Sequence, residues 1–419
     1  MKYNLRCLIR FRGYYFFTTF QQKYKYFCWE VFILGKKVRK YKNVEIMLEP
    51  DGFSIHTIEL SCKVSQTEWK QIKSELYDYN EKCPRNIIHP DGLCHGCHIC
   101  TQYVESGIRI RLEHIKDKNE TKGHYIRMII NPRRLIFMDT TYLGILPNEE
   151  ESIELLEKCF REVLKKSPFD GDISHYYLSR VDLCTNIRCN HEKVFRELVR
   201  LLRKTATPKK YQRLFYQHKN KKKANKYNKH YIRLACGQQE LVIYDKTYQL
   251  TENNLVIDYE DLPAGVLRVE VHYGRDKLRN IEKKCKADDP LDILWLLMQE
   301  SEERILKLVE KCYPDLPYLS YEDGQQVIQN SSLHADTKER MLTLLDQMQR
   351  KQTIDKAVQY MEKKGHKTKS LLKRFQSLGL NPIPLRKGYA AKKMPSLLYI
   401  LKSVGTQPVK IELAYWKQK

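Results

Sequence analysis

The stretch Ser179-Arg180-Val181-Asp182-Leu183-Cys184-Thr185-Asn186 alternates polar and apolar residues, and Leu267-Arg268-Val269-Glu270-Val271-His272 repeats the pattern. Period two dictates a β-strand, because successive side chains leave an extended backbone on opposite sides. Arg180, Asp182 and Cys184 therefore share one face of a first strand, and Arg268, Glu270 and His272 share one face of a second. Between them Val242-Ile243-Tyr244-Asp245-Lys246 reads as a third. Acids and a histidine on strand faces, with a tyrosine and a lysine nearby, suggest metal-dependent phosphoryl transfer.

Further strands are expected at Ile55–Leu60, Gly107–His114, His124–Asn131 (ended by Pro132) and Tyr176–Arg188, with the last two at Leu241–Lys246 and Val266–Tyr273. Helices are expected over Ile153–Leu164 and from Asn190, where apolar residues recur at helical spacing. A capping box, Ser65-Gln66-Thr67-Glu68, announces a helix carrying Trp69, Ile72 and Leu76. A basic hairpin runs from Tyr211–Tyr216 through a Lys-rich loop to Tyr231–Ala235. No glycine-rich βα turn of a nucleotide-binding sheet interrupts this order, so the reading is α+β: a largely antiparallel sheet with helices on one face, then a helical C-terminal region. After Asp276 helices dominate: Leu291–Cys312 is one apolar-periodic run, and Thr353–Lys364 with Thr368–Leu378 has helix-turn-helix spacing. The expected division is a disordered or spurious arm over residues 1–46, with the ordered chain starting at Met47, a sheet domain over 47–280, and a helical region over 281–419 whose helix pair is either a DNA-binding element or an ordinary helical hairpin.

The charge balance narrows the partner. Of 419 residues, 75 are Lys or Arg and 51 are Asp or Glu, a formal charge of +24. Such an excess favours a polyanion through counterion release. It is also concentrated: no acid lies between Glu197 and Glu240, or between Glu362 and Glu412. The first stretch holds Lys219, Lys221, Lys222 and Lys223, interleaved with Tyr211, Phe215, Tyr216, His218, Tyr227, His230 and Tyr231, which suits phosphate contact with base stacking. Thirteen cysteines without a cleavable signal peptide point to a reducing cytoplasm, and no apolar run is long enough for a bilayer, so no membrane partner is expected.

Asp182, Glu270 and His272 offer oxygen and nitrogen ligands for Mg2+ or Mn2+; the competing reading is that Arg180 and Arg268 salt-bridge the acids. Tyr244 is the candidate nucleophile, with Lys246 stabilising its phenolate or the phosphorane charge, and Tyr248 and Tyr273 are in reserve. Arg268 joins the lysines as a candidate DNA contact. Cys83, Cys94, Cys97 and Cys100, on a Pro- and Gly-containing loop with His89, His95 and His98, are a candidate structural Zn2+ set; an Fe–S cluster or free thiols are the alternatives. No G-x-x-x-x-G-K-S/T loop occurs, so the chain is not expected to be its own ATP-driven helicase.

Four blocks in this order, Ile130-Asn131-Pro132-Arg133-Arg134-Leu135-Ile136, Leu178 to Cys184, Ile243-Tyr244-Asp245-Lys246 and Leu267 to Val271, resemble replication proteins of the filamentous-phage gene II/X type. More distantly they are similar to Rep_trans-type plasmid initiators. The resemblance spans residues 54–280. It implies rolling-circle initiation: a tyrosine nicks one strand of origin DNA, keeps its 5′ phosphate and later rejoins it, with host helicase and polymerase as partners. The family's His-hydrophobic-His metal pair is replaced here by Glu270 and His272. A conjugative relaxase would share this chemistry, whereas a non-catalytic nucleic-acid-binding regulator would keep the fold without it.

Overall fold

The computed structural model describes residues 40–48, 52–77, 84–88, 94–117, 120–139, 142–253, 255, 264–351, 353–403 and 408–415. Among these residues twelve strands form one sheet, whose main path begins with β3 (Pro84–Ile88), β4 (Cys94–Cys100), β5 (Ile108–Asp117), β6 (Glu120–Ile130) and β2 (Ser54–Val64). It continues with β7 (Tyr177–Cys189), β11 (Gly265–Gly274), β10 (Gln239–Asp245), β9 (Tyr231–Cys236) and β8 (Gln212–Leu214). Every pairing along this path is antiparallel, as the alternation anticipates.

The two faces of the central strands differ in chemistry. Ile55, Ile58, Leu60, Val181, Leu183, Val269 and Val271 belong to one large buried core. Onto these strands pack α4 (Glu192–Lys204), α7 (Arg275–Cys285), α8 (Pro290–Gln299) and α9 (Ser301–Cys312). The opposite face carries Asp182, Cys184, Arg268, Glu270 and Tyr244, none of which joins that core. A short helix, α6 (Lys246–Glu252), touches β10 and β11 there, beside a small cluster of Leu143, Leu250 and Val266. Gly265 lets α4 close on β11, since a Cβ there would stand 2.4 Å from the Phe195 ring.

Local signals hold where they were specific. Ser65 and Glu68 form the reciprocal capping box, Glu68 N–H donating to Ser65 Oγ at 3.1 Å and Ser65 N–H to Glu68 Oε2 at 2.8 Å. Helix α1 (Gln66–Tyr77) follows. Pro132 ends β6 and opens α2 (Pro132–Phe137), capped by Asn131, as its fixed φ and missing N–H allow. The expected helix at Ile153–Leu164 is α3 (Glu150–Leu164), which buries Ile153, Leu156 and Phe160.

Four expectations are corrected. Order begins before Met47: β1 (Lys40–Leu48) pairs with β7, and Val44 and Ile46 are buried. The Lys-rich loop contains a helix, α5 (Lys221–Tyr227), started by Asn220, whose side chain accepts from the N–H groups of Lys222 and Lys223. Leu291–Cys312 breaks at Glu300 into α8 and α9. The run Cys94–Cys100, read as part of a loop, is strand β4. Of the candidate zinc ligands, the side chains of Cys83, Cys94 and Cys97 lie outside the described residues, and Cys100 is buried in the core.

Residues 41–415 form one compact unit, so the change near residue 280 is one of secondary structure, with α8 and α9 resting on the same sheet. Beyond them lie α10 (Tyr321–Gln329), α11 (Ala335–Arg350), α12 (Ile354–Lys363) and α13 (Thr368–Ser377). The last two match the anticipated helix pair. No described helix is long and apolar enough to cross a membrane.

Candidate functional site

In the antiparallel register of β7 and β11, Asp182 stands opposite His272, and Cys184 opposite Glu270. Strand phase then places the acids on one face, and one ligand atom each from Asp182, Glu270 and His272 lies within 4.8 Å of the others. Both carboxylates are buried. Two carboxylates and an imidazole so gathered could hold a metal ion.

The cluster is also internally neutralised. Arg180 donates two 2.7 Å hydrogen bonds to Asp182, and a carboxylate oxygen of Glu270 lies 2.9 Å from His272 Nε2. Burial raises the Asp182 carboxyl, against the pull of His272 and Arg180. Burial also acts to raise Glu270, but the hydrogen bond to His272 and the nearby cations win and hold it well below the usual carboxylate range. Burial opposes the charged form of His272, yet the charge of Asp182 and the hydrogen bonds to Glu240 and Glu270 push it up to about 9. Glu240, held by Arg233 at 2.8 Å, flanks the site and is brought down to about 2. A small cavity of about 140 Å³, lined by Arg180, Arg233, Glu240 and His272, reaches this edge.

Tyr244, on neighbouring β10, donates its hydroxyl hydrogen to Glu270 Oε1 at 2.7 Å. The residue is 6% exposed, and burial together with the Glu270 charge raises the phenol well above its ordinary value. Lys246 Nζ lies 5.9 Å from the centre of that ring. Burial and the charge of Arg268 bring Lys246 down to about 7.

Arg268 is the clearest correction. It is fully buried rather than facing DNA: Nε donates to Asn186 Oδ1 at 2.7 Å, and Nη2 donates to the carbonyl oxygen of Leu143 at 2.6 Å. Nor does it salt-bridge the acids; Arg180 alone of the two fills that part. Tyr273 is also displaced, because its odd position in β11 turns it to the core face, where Arg304 and Lys277 lie over its ring. Tyr248 sits on α6, stacked on His230 at 3.8 Å between ring centroids. Lys219, Lys221, Lys222 and Lys223 are all exposed.

His56 was not anticipated. A bulge between Ile55 and Thr57 brings its Nδ1 within 3.7 Å of Glu270 Oε1, and burial and Arg268 hold the imidazole well below its ordinary value. The signal was present: the core residues Ile55, Ile58 and Leu60 are spaced three and then two apart, which a regular strand does not allow. No protein-family model matches the chain, and comparison with curated proteins gives no match.

Proposed function

We propose that this protein initiates rolling-circle DNA replication by nicking one strand of an origin through a tyrosine and rejoining it by strand transfer. The observation that carries the reading is the hydrogen bond from Tyr244 to Glu270, inside a carboxylate–imidazole cluster on the sheet face turned away from the main core. Such a cluster joins a nucleophile, an acceptor for its proton and ligands for an ion. Asp182, Glu270 and His272 would hold a divalent cation, which when bound polarises the scissile phosphate.

In the nicking step Tyr244 Oη bonds to phosphorus, its proton passes to Glu270, and the bond to the 3′ oxygen breaks, that oxygen taking up a proton. The 5′ phosphate stays on the tyrosine, and attack by a 3′ hydroxyl later reverses the step. Lys246 and Arg268, both close to the phenol, favour the phenolate that forms transiently. The +24 charge and the exposed lysines of α5 supply the attraction for DNA.

A specific observation favours a second reading, a non-catalytic DNA-binding regulator: the Arg180–Asp182 and His272–Glu270 pairs already satisfy the cluster, and Tyr244 is nearly inaccessible. Incubation with single-stranded origin DNA and Mn2+ separates the two. A covalent protein–DNA band whose linked peptide contains Tyr244 supports the nickase; binding with no adduct on any tyrosine supports the regulator.

A further inference from the structure

Away from the carboxylate cluster, an open cleft of about 1160 Å³ lies between the end of α4, the segment over residues 215–229 and the C-terminal end of α11. Its cations come from distant parts of the chain: Arg203, Lys221, Lys229, Lys351 and Arg386 all line it, and among the described residues no Asp or Glu does. The walls are fastened together. Lys204 Nζ donates to the carbonyl oxygens of Met348 and Gln349 at 2.6 and 3.2 Å, closing the end of α11 onto α4. Arg200 donates to the Pro384 carbonyl at 3.1 Å, and the Arg386 N–H donates to Glu197 Oε1 at 2.8 Å.

Two aromatic side chains stand on this cationic surface. Phe215 is 65% exposed and Tyr216 is 38% exposed, so both present apolar ring surface to water. The Tyr216 backbone is pinned: its N–H donates to Asn228 Oδ1 at 2.8 Å, and Asn228 Nδ2 donates to its carbonyl at 3.0 Å. From Tyr216 a relay of rings leads inward, to Tyr227 at 4.4 Å, on to Tyr231 at 5.3 Å and to Tyr244 at 6.2 Å between centroids. The relay ends on the residue whose hydroxyl meets Glu270.

We propose that this cleft binds single-stranded DNA, with phosphates on its arginines and lysines and a base stacked on Phe215, and that the tyrosine relay leads the strand to Tyr244. Unpaired bases present the faces that an exposed ring can stack on, and a duplex hides them. The choice of DNA rests on the nicking reading; the cleft and its stacking platform do not.

The test is fluorescence anisotropy with a labelled oligothymidylate of about 16 nucleotides, within the span of one binding module, and a duplex of equal length, in EDTA so that no cleavage intervenes. Phe215→Ala should weaken single-strand binding about 5- to 150-fold, the range for losing one stacked base, and leave duplex binding unchanged. Lys221→Gln with Lys229→Gln should flatten the log–log salt dependence by about 0.7 for each lost phosphate contact. All three positions are exposed, and a circular dichroism melt checks that the variants remain folded. Wild-type single-strand affinity in Phe215→Ala, or equal losses on duplex, would overturn the proposal. A parallel adduct assay with single-stranded origin DNA and Mn2+ keeps the readings apart: oligothymidylate binding that depends on Phe215, with no adduct on origin DNA, sinks the nickase and leaves the cleft standing. An adduct forming normally in Phe215→Ala, with binding unaffected, sinks the cleft alone.

Discussion

Tyr244 and Glu270 meet across paired strands, hydroxyl to carboxylate at 2.7 Å, although in the register of β10 and β11 Tyr244 faces Arg268 and Glu270 faces Val242. The contact is therefore diagonal, between residues two positions apart on one face, a reach that an aromatic side chain allows. Tyr244→Phe removes the hydroxyl and keeps the ring. Covalent adduct formation should disappear while DNA affinity stays within about twofold, since the phosphate-binding cations are elsewhere. Gel shift and adduct formation measured on the same preparation check this, and an undiminished adduct would reassign the nucleophile.

Mn2+ should raise the stability of the wild-type protein, because an ion that binds only the folded cluster stabilises by mass action, about 2.7 kcal/mol at a hundred times its Kd. Asp182→Asn and Glu270→Gln should each abolish that shift. Thermal melts with Mn2+ and with EDTA read it directly, and identical melts for the wild-type protein would leave the cluster as ion pairs alone.

Removing residues 1–46 should destabilise the protein. The cut takes away Val44 and Ile46, both about 1% exposed, and the Ile46–Cys189 pair of β1 with β7. Burying two such side chains contributes about 3–6 kcal/mol, so the urea midpoint of the truncated chain should fall well below that of the full one. A shorter truncation that leaves Lys40 as the first residue should recover most of the loss.

In the metal-free protein two groups pull stability in opposite directions with pH. His272 is raised from 6.5 to about 9, so the folded state holds the extra proton across that window and stability falls as pH rises through it. Lys246 is lowered from 10.5 to about 7, so the unfolded state holds the extra proton and stability rises with pH from 7 upward. The two offset each other between pH 7 and 9. Lys246→Met should expose the fall, and His272→Asn the rise, in denaturation midpoints taken from pH 6 to 10.

Much of the candidate site was legible because strand phase is local. Asp182, Glu270 and His272 share a face for the same reason that Val181, Leu183, Val269 and Val271 share the other, and a shift of one residue would bury the wrong set. Arg268 escaped the same logic. Its phase was read correctly, but whether an inward-facing arginine meets solvent or Asn186 and the Leu143 carbonyl depends on what covers that part of the sheet. The α5 helix was hidden by charge: three consecutive lysines read as a solvated loop, and the Asn220 cap that turns them into a helix is a single residue.

By itself, then, the sequence determined the strands at β6, β7, β10 and β11 and the faces their side chains take, where Ser65 starts a helix, and the net charge of +24. Those properties follow from periodicity, capping and net charge, which act over a few residues or over the whole molecule. Tertiary structure alone decided that Asp182 lies opposite His272 and is bonded to Arg180, that a bulge brings His56 to Glu270, and that α4 and α11 enclose one basic cleft. These depend on the strand order β2-β7-β11-β10 and on long-range packing, and two strands of compatible pattern carry no local mark of which neighbour each will take.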